Sequence, residues 1–258
     1  AFDSCSTLTS LNFPKLKTNS VIDMSYTFND CPQLRSLDVS NFQTGEVTNM
    51  EFMFSGCLVL SSLNLQSFRT NKVTNMEGIF KDLKTLTELD VSQFDTSEVT
   101  NMIEMFSGLI SVTSLSVGRF NTRKCRDMWG MFKDCNTIQS LSFGDNFKTD
   151  LVEDMAFMFS NCAALKSLDV SKFETRKVEN MQSMFYNLAN VEIIDVTKFD
   201  TSTVTLMDNM FYNCQTIQSL EVGKFNTSKV ENMENMFYCV SGVENIDVSN
   251  FDTSKVTD

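Results

Sequence analysis

The sequence predicts an α/β repeat solenoid, with one parallel strand and a short helical turn in each coil of about 26 residues. Three observations carry this expectation. A phenylalanine recurs at Phe42, Phe68, Phe94, Phe120, Phe147, Phe173, Phe199, Phe225 and Phe251, every step being 26 residues except the 27 that end at Phe147. Leu37 and Val39 alternate with Ser36, Asp38 and Ser40, the two-residue period of a half-buried strand. Met50, Met53, Phe54 and Cys57 stand at i, i+3, i+4 and i+7, one face of a short helix that Thr48 or Asn49 is placed to cap. Self-similarity at such a period means coils that bury their apolar residues only against their neighbours.

Taken in order, the unit starts with the strand, whose stacked copies predict a parallel sheet with neighbours about 4.8 Å apart. The extra residue of the long step falls in Phe143-Gly144-Asp145-Asn146-Phe147 and predicts a bulge or turn at the glycine. The helical segment follows, and all 16 methionines fall on its two Met positions, where regular placement argues for core filling. Of the 23 phenylalanines, 19 occupy the two Phe positions, leaving Phe13, Phe52, Phe143 and Phe157. Nine glycines and two prolines offer little punctuation. The expectation is therefore one continuous solenoid over 1–258, of nine to ten repeats. It shows no evident terminal caps and opens inside a repeat, as part of a longer protein or array would.

The unit in Leu86-Thr87-Glu88-Leu89-Asp90-Val91-Ser92-Gln93-Phe94-Asp95-Thr96-Ser97-Glu98-Val99-Thr100-Asn101-Met102, followed by Met105-Phe106, resembles the repeat of BspA-like leucine-rich-repeat surface proteins. The resemblance covers essentially the whole chain. It implies a leucine-rich-repeat fold and a cell-surface or secreted adhesin or partner-binding module, extracellular and without a catalytic motif.

Composition narrows the function classes. A formal charge of −12, from 33 acidic and 21 basic residues, argues against nucleic acid as a partner. No stretch is long and apolar enough to span a bilayer, and no signal peptide is visible. Histidine is absent, and so are a phosphate-cradling glycine loop and a Gly-x-Ser-x-Gly nucleophile motif. The expectation is a protein that is not an enzyme and holds no cofactor.

Stacking turns each position of the unit into a ladder. The most regular is Thr18, Thr44, Thr70, Thr96, Thr122, Thr149, Thr175, Thr201, Thr227 and Thr253. It reads as turn hydroxyls bonded to backbone, or, if exposed, as an array binding ice or a crystalline polysaccharide. Asp195, Glu221 and Asp247 would stand about 5 Å apart in register, a weak candidate for a cation ladder against the simpler reading of a solvated, repulsive face. The Asn/Asp rung that includes Asn49, Asn75, Asn101 and Asn180 is expected to satisfy loop backbone. Cys5, Cys31, Cys57, Cys135, Cys162 and Cys214 share a position with Leu83, Leu109, Leu188 and Val240, which marks small buried hydrophobes rather than zinc ligands. Cys239 falls one position before its ladder and is the one oddly placed thiol; Cys214 lies one coil away, and whether the two pair is a matter of geometry that spacing does not fix.

One region departs from this uniformity. Arg119, Arg123, Lys124 and Arg126 precede Trp129, the single tryptophan, and Lys148, Lys172, Arg176 and Lys177 occupy related positions in the next coils. An aromatic beside arginines has the composition of an interface hot spot, so this patch is the candidate contact for an acidic protein or glycan. The competing reading is charge compensation. A further alternative is structural, since the two chain ends are nearly in phase for head-to-tail stacking into filaments. Asn226-Thr227-Ser228 is a lone glycosylation sequon.

Overall fold

In the computed structural model, residues 1–13 and 15–258 are described, and the chain winds as stacked parallel coils. Four strands form: β1 (Ser10–Asn12), β2 (Ser36–Asp38), β3 (Ser114–Val117) and β4 (Ser140–Phe143). They make two parallel pairs, with Leu11 opposite Leu37 and Leu115 opposite Leu141. The leucines point inward and the serines outward, as the alternation predicts.

The expected strand in every coil is corrected: among the described residues, named strands occur in four coils only. The outward side chains explain much of this. Asn64, Asp90, Asp169, Asp195 and Asp247, all outside the named strands, each turn back to accept the backbone N–H two residues on, at 2.9–3.1 Å, and Asp38 makes the same bond where β2 ends. These local bonds compete with a ladder, and carboxylates facing each other on adjacent coils repel. The longer pair, β3 and β4, has serines there instead, with Ser116 and Ser142 hydroxyls 3.1 Å apart.

The continuous ladder lies elsewhere, on the Asn/Asp rung, where bridges run from Asp23 through Asn49, Asn75, Asn101, Asp127, Asp154 and Asn180 to Leu206 and Asn232. Leu206 belongs to this rung although its side chain breaks the polar pattern; backbone position, not the amide, makes the bridge.

The expected helical turn is also corrected, because no helix forms among the described residues. The physical reason is pitch. Adjacent coils are a β-spacing apart, about 4.8 Å, whereas helices pack at about 8–10 Å. The segment instead spends its amides on the next coil: Met24, Tyr26, Phe28 and Asp30 donate to the carbonyls of Asn49, Glu51, Met53 and Ser55 at 2.8–2.9 Å. Two residues per coil in the left-handed region fold the segment flat, as at Phe52 (φ 49°) and Gly56 (φ 71°). A helix-like burial period survives, with Met50, Met53, Phe54 and Cys57 all buried.

The core is a set of columns. Phe2, Phe28, Phe54, Phe80, Phe106, Phe132, Phe159, Phe185, Phe211 and Phe237 stack without a break, centroids 5.5–6.1 Å apart and planes within 17°. The second phenylalanine column packs against it at a tilt, as Phe42 does on Phe28 at 6.2 Å. Cys57, Cys135, Cys162 and Cys214 are buried, and each thiol donates to a carbonyl of the preceding coil at 3.0–3.2 Å. Burial pushes the Cys57 and Cys214 thiols up to about 12. Cys214 and Cys239 do not pair: both thiols are free, Cys214 inside and Cys239 exposed.

Candidate functional site

The threonine ladder is settled by burial. Thr18, Thr44, Thr70, Thr96, Thr122, Thr149, Thr175, Thr201 and Thr227 are at most 4% exposed, and only Thr253, in the last coil, faces solvent. Each buried hydroxyl donates to a carbonyl one coil on, at 2.6–3.1 Å. This ladder offers an ordered surface no hydroxyls, so ice or polysaccharide binding through it is overturned.

Asp195, Glu221 and Asp247 do not assemble a cation centre, for no group of metal-ligating side chains converges among the described residues. Asp195 takes the Thr197 hydroxyl at 2.6 Å and its amide at 3.0 Å. Those bonds, with the Thr197 hydroxyl foremost, lower its pKa from the ordinary carboxylate value. Asp247 makes the same turn with Ser249.

The structure divides the basic patch. Lys124 pairs with Glu98 at 2.6 Å and Arg126 with Glu153 at 2.9 Å, each across one coil step. These are exposed pairs of small energetic weight, and they answer to charge compensation. Arg119, Arg123, Lys148 and Lys177 have no ion pair among the described residues. Trp129 leaves the arginines altogether: the cation over its ring is Lys133, at 5.3 Å, and its aromatic neighbour is Phe157, at 5.4 Å. Sequence adjacency misled there, because Trp129 follows the buried Met128 onto a different wall of the coil.

Lys148, Lys172 and Arg176 do come together, and they share a cleft with Lys198, which the sequence reading missed. The cleft has a volume of about 420 Å³, and Phe173, Thr175 and the carboxylates of Glu174 and Asp200 also line it. A second hollow of about 220 Å³ adjoins it through Lys172 and Phe173. The long coil makes this hollow. Gly144 runs so close to its neighbour that a Cβ would lie 1.8 Å from the Gly118 carbonyl oxygen. Phe143 fills a position where seven other coils carry valine, edge-on to Phe173 at 5.5 Å. Asp145, pushed outward, holds Lys172 at 2.7 Å, and that bond lowers the Asp145 pKa and raises that of Lys172. Arg176 stands 3.9 Å from both Asp150 and Glu174. Lys198 was findable: it occupies the position before the strand-end phenylalanine, as Arg119 and Lys172 do.

The family described as Mycoplasma protein of unknown function, DUF285, matches over residues 1–113, 59–144, 110–193 and 188–258, so the overlapping matches span the chain. No curated protein matches. Among solved structures, a leucine-rich repeat protein from Bacteroides ovatus is similar at 17% identity, over 96% of this chain and 75% of that one. Its TM-score is 0.30, so the two backbones do not superpose closely. No helix among the described residues is long and apolar enough to cross a membrane.

Proposed function

We propose, for a chain that belongs to the DUF285 family, a non-enzymatic binding module of a cell-surface or secreted protein. It presents a rigid repeat wall to an acidic glycan or protein. The supporting observation is the cleft at the irregular coil, where Lys148, Lys172, Arg176 and Lys198 meet in a protein of net charge −12. A cationic pocket in an anionic surface focuses an anionic ligand and repels other acidic surfaces less than its surroundings do. The resemblance to BspA-like leucine-rich-repeat surface proteins supports the location and the adhesive role. Arg119, Arg123 and Lys177 would extend the contact along neighbouring coils. The test is titration with heparin and with polyglutamate: Lys148→Glu with Lys198→Glu should weaken binding at least ten-fold, and unchanged binding removes the reading.

A second reading, head-to-tail stacking, has its own observation. In the column that starts at Met24 every inter-coil N–H points to the following coil, as from Met207, Asn209, Phe211 and Asn213 to Asn232, Glu234, Met236 and Tyr238. The neighbouring column runs the other way, as from Thr48 to Ile22 and Thr74 to Thr48, so each end offers donors from one column and acceptors from the other, and copies related head to tail match both. Light scattering over a concentration series tests it: growth into long species supports stacking, and a constant monomer mass removes it.

A further inference from the structure

The wall that carries Trp129 holds a second surface, chemically opposite to the cleft. Outside the core columns, the aromatic side chains of this chain gather on it. Tyr26 packs on Phe52 at 5.3 Å, and Trp129 on Phe157 at 5.4 Å. Tyr186, Tyr212 and Tyr238 form a stack, each step 4.8 Å with planes within 17°. All four tyrosines and the one tryptophan are thus on one side of the solenoid. They stand on the positions one and two after the first Met and one after the second Phe, which the flat left-handed turns direct away from the core.

The same wall is strongly acidic. Between Ser25 and Cys239, the positions one and two after the first Met and one and two after the second Phe carry eight carboxylates and two lysines. Glu51, Glu77, Glu104, Asp208 and Glu234 are five of them. Both lysines are already bound to the wall's own groups. Lys81 pairs with Glu104 and lies 6.0 Å from the Phe52 ring, and Lys133 lies over Trp129 and Phe157 at 5.3 and 5.4 Å. The wall therefore shows, inside one molecule, the contact it is built to make: a cation on an aromatic face beside a carboxylate. Around the tyrosine stack no such internal cation occurs among the described residues. Asp208 adds a buried carboxylate nearby, one oxygen of which, Oδ1, has no hydrogen-bond partner among the described residues.

We infer that the wall from Tyr26 to Tyr238 is a docking surface for a lysine- and arginine-rich segment of another protein, held by a cation on the face of Tyr186 that Tyr212 leaves uncovered, by the hydroxyls of the tyrosine stack as hydrogen-bond acceptors, and by the wall's carboxylates. Charge complementarity selects this occupant. An acidic segment is repelled, and an apolar one leaves the surplus of carboxylates unanswered. The wall is distinct from the basic cleft, so the two readings stand or fall separately.

The experiment is calorimetric titration of the whole chain with an octapeptide of alternating arginine and glycine, in about 0.15 M salt to screen long-range attraction. Three variants are compared. The first is Tyr186→Ser with Tyr212→Ser and Tyr238→Ser, chosen because Ser55, Ser107 and Ser160 occupy that position in other coils. The second is Trp129→Ala, matching Ala156. The control is Asp38→Asn with Asp90→Asn, Asp195→Asn and Asp247→Asn, which removes four charges from the strand wall and keeps the turns, as Asn64 does. The expected result is a loss of about ten-fold or more in the tyrosine variant, a smaller loss for Trp129→Ala, and less than two-fold for the control. Equal losses in the control and the tyrosine variant mean non-specific attraction and overturn the proposal. Wild-type binding that persists in the tyrosine variant overturns it as well. Should the triple variant unfold, protection of the wild-type tyrosines from iodination by the peptide replaces it, and absence of protection is the negative outcome. Concentration-dependent dimers lost in the tyrosine variant assign the wall to a second copy and also overturn it. Retained polyglutamate binding in that variant separates its failure from failure of the cleft.

Discussion

Thr44 donates its hydroxyl to the Arg69 carbonyl at 2.9 Å and accepts the Arg69 amide at 2.7 Å, so one side chain satisfies both backbone groups of a residue one coil away. The same two-way bond links Thr70 to Asp95 and Thr96 to Asn121. The ladder is a backbone clamp between coils. Replacing Thr96 by valine keeps the shape and strands a buried N–H and C=O, which costs about 2–3 kcal/mol. Thr96→Ser should cost less than half of that. Urea unfolding of the two variants checks the difference.

The rung predicts a pH effect of definite sign. Asp127 and Asp154 have raised pKa values, chiefly through burial, with Asp154 itself adding to the rise at Asp127. A carboxyl raised on folding penalises the folded state once it ionises, and the penalty vanishes at pH below its unfolded value. Asp154→Asn, which copies Asn49 and Asn75, should therefore raise the melting temperature by about 2 °C at pH 7. The gain should disappear near pH 3. Asp38, Asp169 and Asp195 work in the opposite sense, because bonds from Ser40, Ser171 and Thr197 lower their pKa values. Their contribution is full above the ordinary value of 3.8 and is lost as pH falls through the lower folded values. Melting curves from pH 3 to 8 read both.

Thiol chemistry separates the cysteines. In the native protein an alkylating reagent should modify Cys239 quickly and leave Cys57, Cys125 and Cys214 untouched, since burial raises these three to about 12. Mass spectrometry of the labelled protein, before and after denaturant, gives the comparison. Rapid labelling of Cys57 in the native state would contradict the packing described.

The long coil predicts a contrast between two glycines. Gly144→Ala places a Cβ at 1.8 Å from a backbone carbonyl oxygen, so the coil must open there; Gly45 has nothing within 4 Å of its own Cβ position. Gly144→Ala should cost at least 2 kcal/mol, roughly the scale of core overpacking. Gly45→Ala should be neutral or slightly stabilising. Because the hollow beside Gly144 adjoins the basic cleft, the first variant should also weaken polyanion binding.

Much of this protein was legible in its sequence. The 26-residue period determined the stacked coils, the inward Leu37, Val39, Met50, Phe54 and Cys57, and the bonded role of the threonines, because each rests on a repeated position and the hydrophobic effect decides it coil by coil. Only the tertiary structure decided the rest. Spacing at i, i+3, i+4 and i+7 fits a helix, and fits equally a flat segment with two left-handed residues; the amides of this segment bond to the next coil rather than within their own, which chose between them. Trp129 is three residues from Arg126, yet its partners are Phe157 and Lys133, because side chains meet across coils rather than along the chain. Lys198 joins Lys148 for the same reason. Periodicity sets which residues face inward; contacts between unlike positions of neighbouring coils, which no period records, set what the surface can bind.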